Sequence, residues 1–270
     1  MTMKPKSAQE TIKLVKRRLQ NVRFKIPVIS GKGGVGKSMV SASLSLYLAK
    51  MGHKVAILDA DIHGPSIPSM LGVKGRMVYG VDGIIPLSTS NGVKVVSSAF
   101  LLPNERTPII WRGPLKSNLI LQLLEEVHWG HLDFLIIDLP PGTGDEALSI
   151  AQFIPDVTGD VIVTIPSKIS WSVVKKAIEF SYTLNMRILG VVENMAWVKC
   201  PKCGEKIWIF GETLRSFVEM EGIKYLGSIP LDPNVSSACD EGRLHSIVED
   251  DVFLNVMKPI VDNLLASIDV

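Results

Sequence analysis

The chain has 270 residues, 46% of them hydrophobic and 21% charged, and 29 Lys and Arg against 27 Asp and Glu leave a net charge of +2. This composition excludes a disordered or collagen-like chain, supplies a core large enough to need no disulfide or metal staples, and gives no electrostatic reason to expect nucleic acid or an anionic membrane as a partner. Mean hydropathy is +0.27, yet the apolar runs are strand-sized, well short of the roughly 18 residues that span a bilayer.

Ser7-Ala8-Gln9-Glu10 has the form of a capping box, and Ile12, Val15 and Leu19 follow at helical spacing, which predicts an amphipathic helix over 8–20 with a basic, solvated face. No apolar stretch follows Lys4 and Lys6, so this end does not read as a secretory signal. A strand is expected over 26–30, then a Gly-rich loop over 31–36, a small-residue helix over 37–51 and a buried strand over 54–58. Pro27 predicts that the first of these strands is short or irregular. Further strands are expected at 93–97, 132–137, 160–165, 188–192 and 225–229, and helices at 114–127, 145–153, 170–184, 211–221 and 252–268. Short apolar runs separated by helices define an α/β fold, a mostly parallel β-sheet covered by helices on both faces. The expected division is an N-terminal extension, 1–24, and one domain, 25–270.

Gly31-Lys32-Gly33-Gly34-Val35-Gly36-Lys37-Ser38 satisfies G-x-x-x-x-G-K-[ST] between a predicted strand and a predicted helix, the context a phosphate loop requires. The glycines let successive backbone N–H groups turn inward as a nest for phosphate oxygens, and the helix N-terminus adds its dipole. Lys37 is expected to reach the terminal phosphates of ATP, and the Ser38 hydroxyl to ligate Mg²⁺. Three carboxylates end predicted strands: Asp59 and Asp61 after Val55-Ala56-Ile57-Leu58, and Asp138 after Phe134-Leu135-Ile136-Ile137. Ligands of open α/β sheets gather at those strand ends. An Asp after four apolar residues is the Walker B pattern, which assigns Asp138 to Mg²⁺ directly or through water. Asp61 is expected beside it, on the metal or orienting the attacking water.

Cys200-Pro201-Lys202-Cys203-Gly204 places two thiols on a tight turn, both able to face one metal. A redox pair and an inert loop are the alternatives, but a thioredoxin-like pair opens a helix, and Pro201 and Gly204 do not suit one. Two ligands do not close a site: structural zinc takes four, and so do the common iron–sulfur clusters. Cys239 stands far along the chain in a predicted helix. A C₂ dimer completes the set, with Cys200 and Cys203 of both chains around one shared metal. The same four thiolates suit Zn²⁺ in isolated protein. Three cysteines make no disulfide framework, and the expected compartment is a reducing cytoplasm.

Lys32, at the second position of the loop, makes it resemble the deviant Walker A of the MinD/ParA/ArsA/nitrogenase-iron-protein class of P-loop NTPases. The resemblance implies that Lys32 crosses a dimer interface to the partner's nucleotide, a cation delivered in trans. It also implies that Asn194 binds the base, and Asp232 is expected to line the same pocket. Four further segments, from Asp59-Ala60-Asp61-Ile62-His63-Gly64-Pro65-Ser66 through Trp111-Arg112-Gly113-Pro114 and Asp138-Leu139-Pro140-Pro141-Gly142-Thr143-Gly144-Asp145 to Glu193-Asn194-Met195 with the cysteine turn, are similar to the switches, mid-chain signature and metal segment of the Mrp (ApbC-like) iron–sulfur cluster carrier ATPases. That resemblance implies a cytoplasmic homodimer that hydrolyses ATP, assembles a cluster of [4Fe–4S] type on the bridging cysteines, and deals with apoprotein recipients and cluster assembly proteins.

The alternative is a MinD- or ParA-like positioning or regulatory ATPase with a structural zinc site. The C-terminal stripe of Phe253, Val256, Met257, Ile260, Leu264 and Ile268 bears on it. Its polar side carries Asp250, Asp251, Asp262 and Asp269 with Lys258 as the basic residue, whereas a membrane-binding helix is rich in Lys and Arg. The stripe is expected to pack on the domain, and the positioning reading leaves the cysteines without a role.

Overall fold

The computed structural model describes residues 8–62, 64–101, 113–211 and 213–268. In chain order the elements are α1 (Ala8–Arg18), β1 (Val22–Ile29), α2 (Lys37–Lys50), β2 (Val55–Asp59), α3 (Ile67–Leu71), β3 (Val78–Gly80), β4 (Gly83–Ile85), β5 (Leu87–Ser88), β6 (Lys94–Ser97), α4 (Gly113–Glu126), β7 (Leu132–Asp138), α5 (Asp145–Ala151), β8 (Asp160–Thr164), α6 (Lys168–Thr183), β9 (Ile188–Glu193), β10 (Trp197–Lys199), β11 (Lys206–Trp208), α7 (Arg215–Met220), β12 (Tyr225–Ser228), α8 (Pro233–Asp240), α9 (Leu244–Ile247) and α10 (Asp251–Leu265).

Eight strands form one sheet in the order β12-β9-β8-β1-β7-β2-β6-β5. The pairs are parallel except that β5 runs antiparallel to β6. Every residue of β2 and of β8 is buried, as strands covered on both faces must be. The order places β1 at the centre, so the loops that leave β1, β2 and β7 open side by side at one edge of the sheet. That is where an open α/β sheet binds its ligand.

Pro27 does not shorten the first strand. β1 is eight residues long, begins at Val22 and keeps continuous register with β7 through Pro27 and Ile137. The reason lies in which way each peptide faces. The Val28 carbonyl accepts from Leu139 beyond β7, whereas Lys25 turns both its N–H and its C=O to Thr158 on the β8 side. Pro27, two residues on from Lys25, faces that same side, and the β8 ladder begins only at Val28 and Ile29. The missing N–H therefore falls where no ladder bond is due.

At the N-terminal end, Val15 and Leu19 of the α1 segment are buried. Arg18 donates to the Glu125 carbonyl and to the Asp82 carbonyl, each at 2.8 Å, which fastens α1 to the end of α4 and to the β3–β4 hairpin. At the other end Phe253, Met257, Ile260 and Leu264 of α10 are buried, so the C-terminal stripe packs on the domain as expected. No helix among the described residues is long and apolar enough to cross a membrane. The helix expected over 211–221 is shorter, Arg215–Met220, because Thr213 and Leu214 are held instead by the Glu193 carboxylate.

Candidate nucleotide site and cysteine hairpin

The phosphate loop leaves β1 and enters α2 with Gly36 as the N-cap residue in the left-handed conformation, φ 77. A β-carbon on Gly36 would lie 2.1 Å from Asn194 Nδ2, and one on Gly31 would lie 2.2 Å from the Val173 carbonyl oxygen. Both glycines are therefore fixed by neighbours that press on the loop backbone. Asn194 Nδ2 donates to the Val35 carbonyl at 2.9 Å, which sets the orientation of the amide. The opposite atom, Asn194 Oδ1, is buried with no hydrogen-bond partner.

Lys37 and Asp138 meet beneath the loop. Lys37 Nζ donates to Asp138 Oδ1 at 2.6 Å, and the Ser38 hydroxyl donates to Asp138 Oδ2 at 2.6 Å. The Ser41 hydroxyl, one turn further along α2, lies 2.7 Å from Asp138 Oδ1. Asp59 sits alongside in the next strand and accepts from the Ser97 hydroxyl and the backbone N–H groups of Asp61 and Ile67. Burial, and after it the neighbouring Asp138 charge, pushes the Asp59 carboxyl well above the usual carboxylate range. Asp61 is partly exposed just beyond β2, and its Oδ1 accepts from Gly64 N–H. Lys32 is half-buried at the mouth of the loop.

Asp232 caps α8, accepting from Asn234 N–H at 2.8 Å. It lines a cavity of about 300 Å³ with Pro230, Arg243 and Phe253, while Asn194 lies against the phosphate loop. The structure thus brings Lys37, Ser38, Asp138 and Asn194 around the loop and leaves Asp232 on a neighbouring cavity. His63, Trp111 and Arg112 lie outside the described residues.

Cys200 and Cys203 occupy the turn of the β10–β11 hairpin, in which Trp197 faces Trp208 and Lys199 faces Lys206. Cys200 N–H donates to the Glu205 carbonyl and Gly204 N–H to the Cys200 carbonyl, at 2.8 and 2.9 Å. The backbone N–H groups of Cys203 and Lys202, with the Cys203 thiol, stabilise the Cys200 sulfur as thiolate and hold its thiol below the ordinary range. Cys239 stands apart in α8, where burial pushes its thiol up. Among the described residues no group of three or more His, Cys, Asp and Glu side chains is placed to hold a metal ion. Next to the turn, Ile207, Trp208, Ile209 and Phe210 form an apolar surface, each 42–50% exposed.

Two residues had no role of their own in the sequence reading. Glu193 is fully buried at the end of β9, where its carboxylate accepts from the Thr213 and Tyr225 hydroxyls, both at 2.6 Å, and from Leu214 N–H. The signal was present: Glu193 ends an apolar strand just as Asp59 and Asp138 do. Ser41 carried no signal, since its partner is 97 residues away.

A central β1 flanked by β7 and β8, with its loop wrapped into α2, is the architecture of the P-loop NTPases of MinD and ParA type. The solved MinD cell division protein of Aquifex aeolicus shares the fold, with a TM-score of 0.63 at 22% identity over 89% of this chain and 94% of that one. More narrowly, the chain belongs to the ParA family described as NUBPL iron-transfer P-loop NTPases, whose model matches residues 21–265. The "Iron-sulfur cluster carrier protein" of Saccharolobus solfataricus is 50% identical over 254 residues, which cover 92% of this chain and 86% of that protein. A nucleotide-binding protein of Archaeoglobus fulgidus, solved in complex with ADP and with Co found by PIXE, is 42% identical, with a TM-score of 0.78 over 87% of this chain and 92% of that one.

Proposed function

We propose that this chain is an ATP-hydrolysing iron–sulfur cluster carrier that assembles a [4Fe–4S] cluster on Cys200 and Cys203 of two subunits and hands it to apoproteins. The observation that carries the reading is the hairpin: two thiols, one held toward thiolate, at the tip of a hairpin with no third ligand beside them among the described residues. A second copy supplies the other two thiolates, and the apolar surface from Ile207 to Phe210 gives that copy something to bury. The named carrier among its relatives supports the same reading. Three free cysteines suit a reducing cytoplasm, where cluster assembly proteins would load the site.

The nucleotide site has the donors that ATP and Mg²⁺ need. Ser38 Oγ and Asp138 Oδ2 are hard oxygen donors on facing elements, with Asp61 at the adjoining strand end, and these would hold Mg²⁺. When bound, the ion neutralises phosphate charge. Lys37 exchanges the Asp138 oxygen for a terminal phosphate oxygen, and the N–H groups of Gly33, Gly34, Val35 and Gly36 cradle the chain of phosphates. Asp61 orients the attacking water, and Lys32 of the partner copy neutralises the charge that develops on the transferred phosphoryl group. The unpaired Asn194 Oδ1 accepts from an exocyclic amine, which adenine has and guanine lacks at that position.

Anaerobic reconstitution with iron and sulfide tests the proposal. The expected result is about four irons per dimer with visible cluster absorption, lost in Cys200→Ser and in Cys203→Ser. A cluster retained by either variant, or held by a strict monomer, overturns it.

A further inference from the structure

Lys37, Ser38, Ser41 and Ser45 follow one another along α2 at helical spacing, so they line one face of the helix. The first three meet Asp138, whose two carboxylate oxygens have different partners. Oδ2 accepts from the Ser38 hydroxyl at 2.6 Å, whereas Oδ1 accepts from the Lys37 ammonium at 2.6 Å and from the Ser41 hydroxyl at 2.7 Å. The Ser41 hydroxyl also lies 3.0 Å from the Lys37 carbonyl, the contact with the preceding turn that a helical serine makes. A hydroxyl has one proton, and the shorter contact, to a carboxylate oxygen, takes it. Ser45, one turn further on and equally buried, donates to the Ser41 carbonyl at 2.8 Å and, among the described residues, meets no carboxylate.

We propose that Ser41 is a positioning residue for Mg²⁺: by holding Asp138 Oδ1 it fixes the turn of the carboxylate that presents Oδ2 beside Ser38. This rests on the reading of Ser38 and Asp138 as the Mg²⁺ donors. The torsion that rotates a carboxylate is broad, so its plane has to be set by what its oxygens touch. Once Ser38 Oγ and Asp138 Oδ2 both serve the ion, the hydrogen bond between them is given up, and orientation comes from Oδ1. Lys37 is poorly suited to that task, because its ammonium ends a long flexible stem and is the cation proposed for phosphate. The Ser41 hydroxyl is one bond from a β-carbon set in a buried stretch of α2, and the Lys37 carbonyl fixes its rotamer. It stays on Oδ1 whichever anion Lys37 serves. A serine that only satisfied its own hydroxyl would stop at the carbonyl of the preceding turn, as Ser45 does.

Calorimetry of the full chain with a non-hydrolysable ATP analogue, repeated across a range of free Mg²⁺, tests this without turnover. The quantity read is the Mg²⁺ concentration that gives half of the gain in nucleotide affinity. Ser41→Ala is expected to raise that midpoint about tenfold, the scale of a lost hydrogen bond to a charged group, while affinity measured in EDTA stays as it was. Ser41→Thr keeps a hydroxyl that can bond the same carbonyl and should restore the midpoint. Ser41→Cys, near serine in size but a weak donor, should move it in the same direction as Ser41→Ala, and it serves where a cavity at this place prevents folding. Ser45→Ala removes an equally buried hydroxyl and should leave the midpoint where it is. A midpoint unmoved by Ser41→Ala and Ser41→Cys, or moved as far by Ser45→Ala, overturns the role of Ser41 alone. An unaltered chain whose nucleotide affinity ignores Mg²⁺ overturns the reading of Ser38 and Asp138, and this inference with it.

Discussion

Asp59 and Asp138 end adjacent parallel strands directly opposite one another, both without solvent exposure. Lys37 pairs with Asp138 and opposes the upward shift of the Asp59 carboxyl, so it is a counter-ion of the fold besides its proposed role as phosphate ligand. Lys37→Ala leaves the Asp138 carboxylate buried without that cation. The expected cost is about 3–5 kcal/mol of folding free energy, together with loss of ATP affinity, measured by urea denaturation and calorimetry. The same change made in an Asp138→Asn background should cost less than half as much. Equal costs in the two backgrounds would show that the two side chains do not interact.

Lys32→Ala should behave differently. Lys32 is half-buried at the mouth of the loop, and its proposed target is the nucleotide of a second copy. ATP affinity should stay near normal while turnover falls about 10³-fold, the scale of a cation delivered in trans. If Lys32→Ala and Lys37→Ala lose binding to the same degree, the trans assignment is wrong.

Asn194→Asp replaces the amide that donates to Val35 with an oxygen that repels its carbonyl. ATP affinity should fall by about 10-fold or more, since a buried contact turns from attraction to repulsion. Asn194→Ala should instead narrow the preference for ATP over GTP, measured by competition binding. An unchanged preference would remove Asn194 from base recognition.

Cys239→Ala should leave metal content as it was, because Cys239 lies in α8 apart from the turn. Metal analysis of zinc-loaded protein checks this, and a site that needs Cys239 would contradict the bridging arrangement.

Asp160, at the start of β8, is buried with the Ser181 hydroxyl on one oxygen and nothing on the other. Burial raises its pKa to about 7. The folded chain then keeps a proton that the unfolded chain has already released, so stability falls as pH rises from about 4 to about 7. A shift of roughly 3 units corresponds to about 4 kcal/mol at most. Asp160→Asn keeps an acceptor for Ser181 and should flatten that slope. Urea midpoints from pH 4 to 8 will show it, and parallel slopes for the two proteins would contradict the assignment.

The sheet was legible because its strands are buried on both faces and read as unbroken apolar runs, as in β2, β7 and β8. The phosphate loop was legible because its chemistry needs fixed residue types at fixed spacing. The two hairpins were not. β3 is three residues long with all of them exposed, and β11 likewise, so neither shows a buried face to produce alternation. The segment from 62 to 92 therefore yielded no elements, although it holds α3, the β3–β4 hairpin and β5. Side-chain pairings such as Lys37 with Asp138 depend on which strands become neighbours, which the sequence shows only after the topology is known.

The sheet ends on one side in β5, two residues long and antiparallel, and on the other in β12, four residues long with a break in register between Tyr225 and Gly227. Both margins are poor templates for a further strand. They give copies of this chain little to zip together edge to edge, which favours contact through surfaces outside the sheet. A second copy docked on the Ile207–Phe210 surface would therefore come away without baring a long row of unpaired peptide groups, and what it uncovered would be apolar side chains instead.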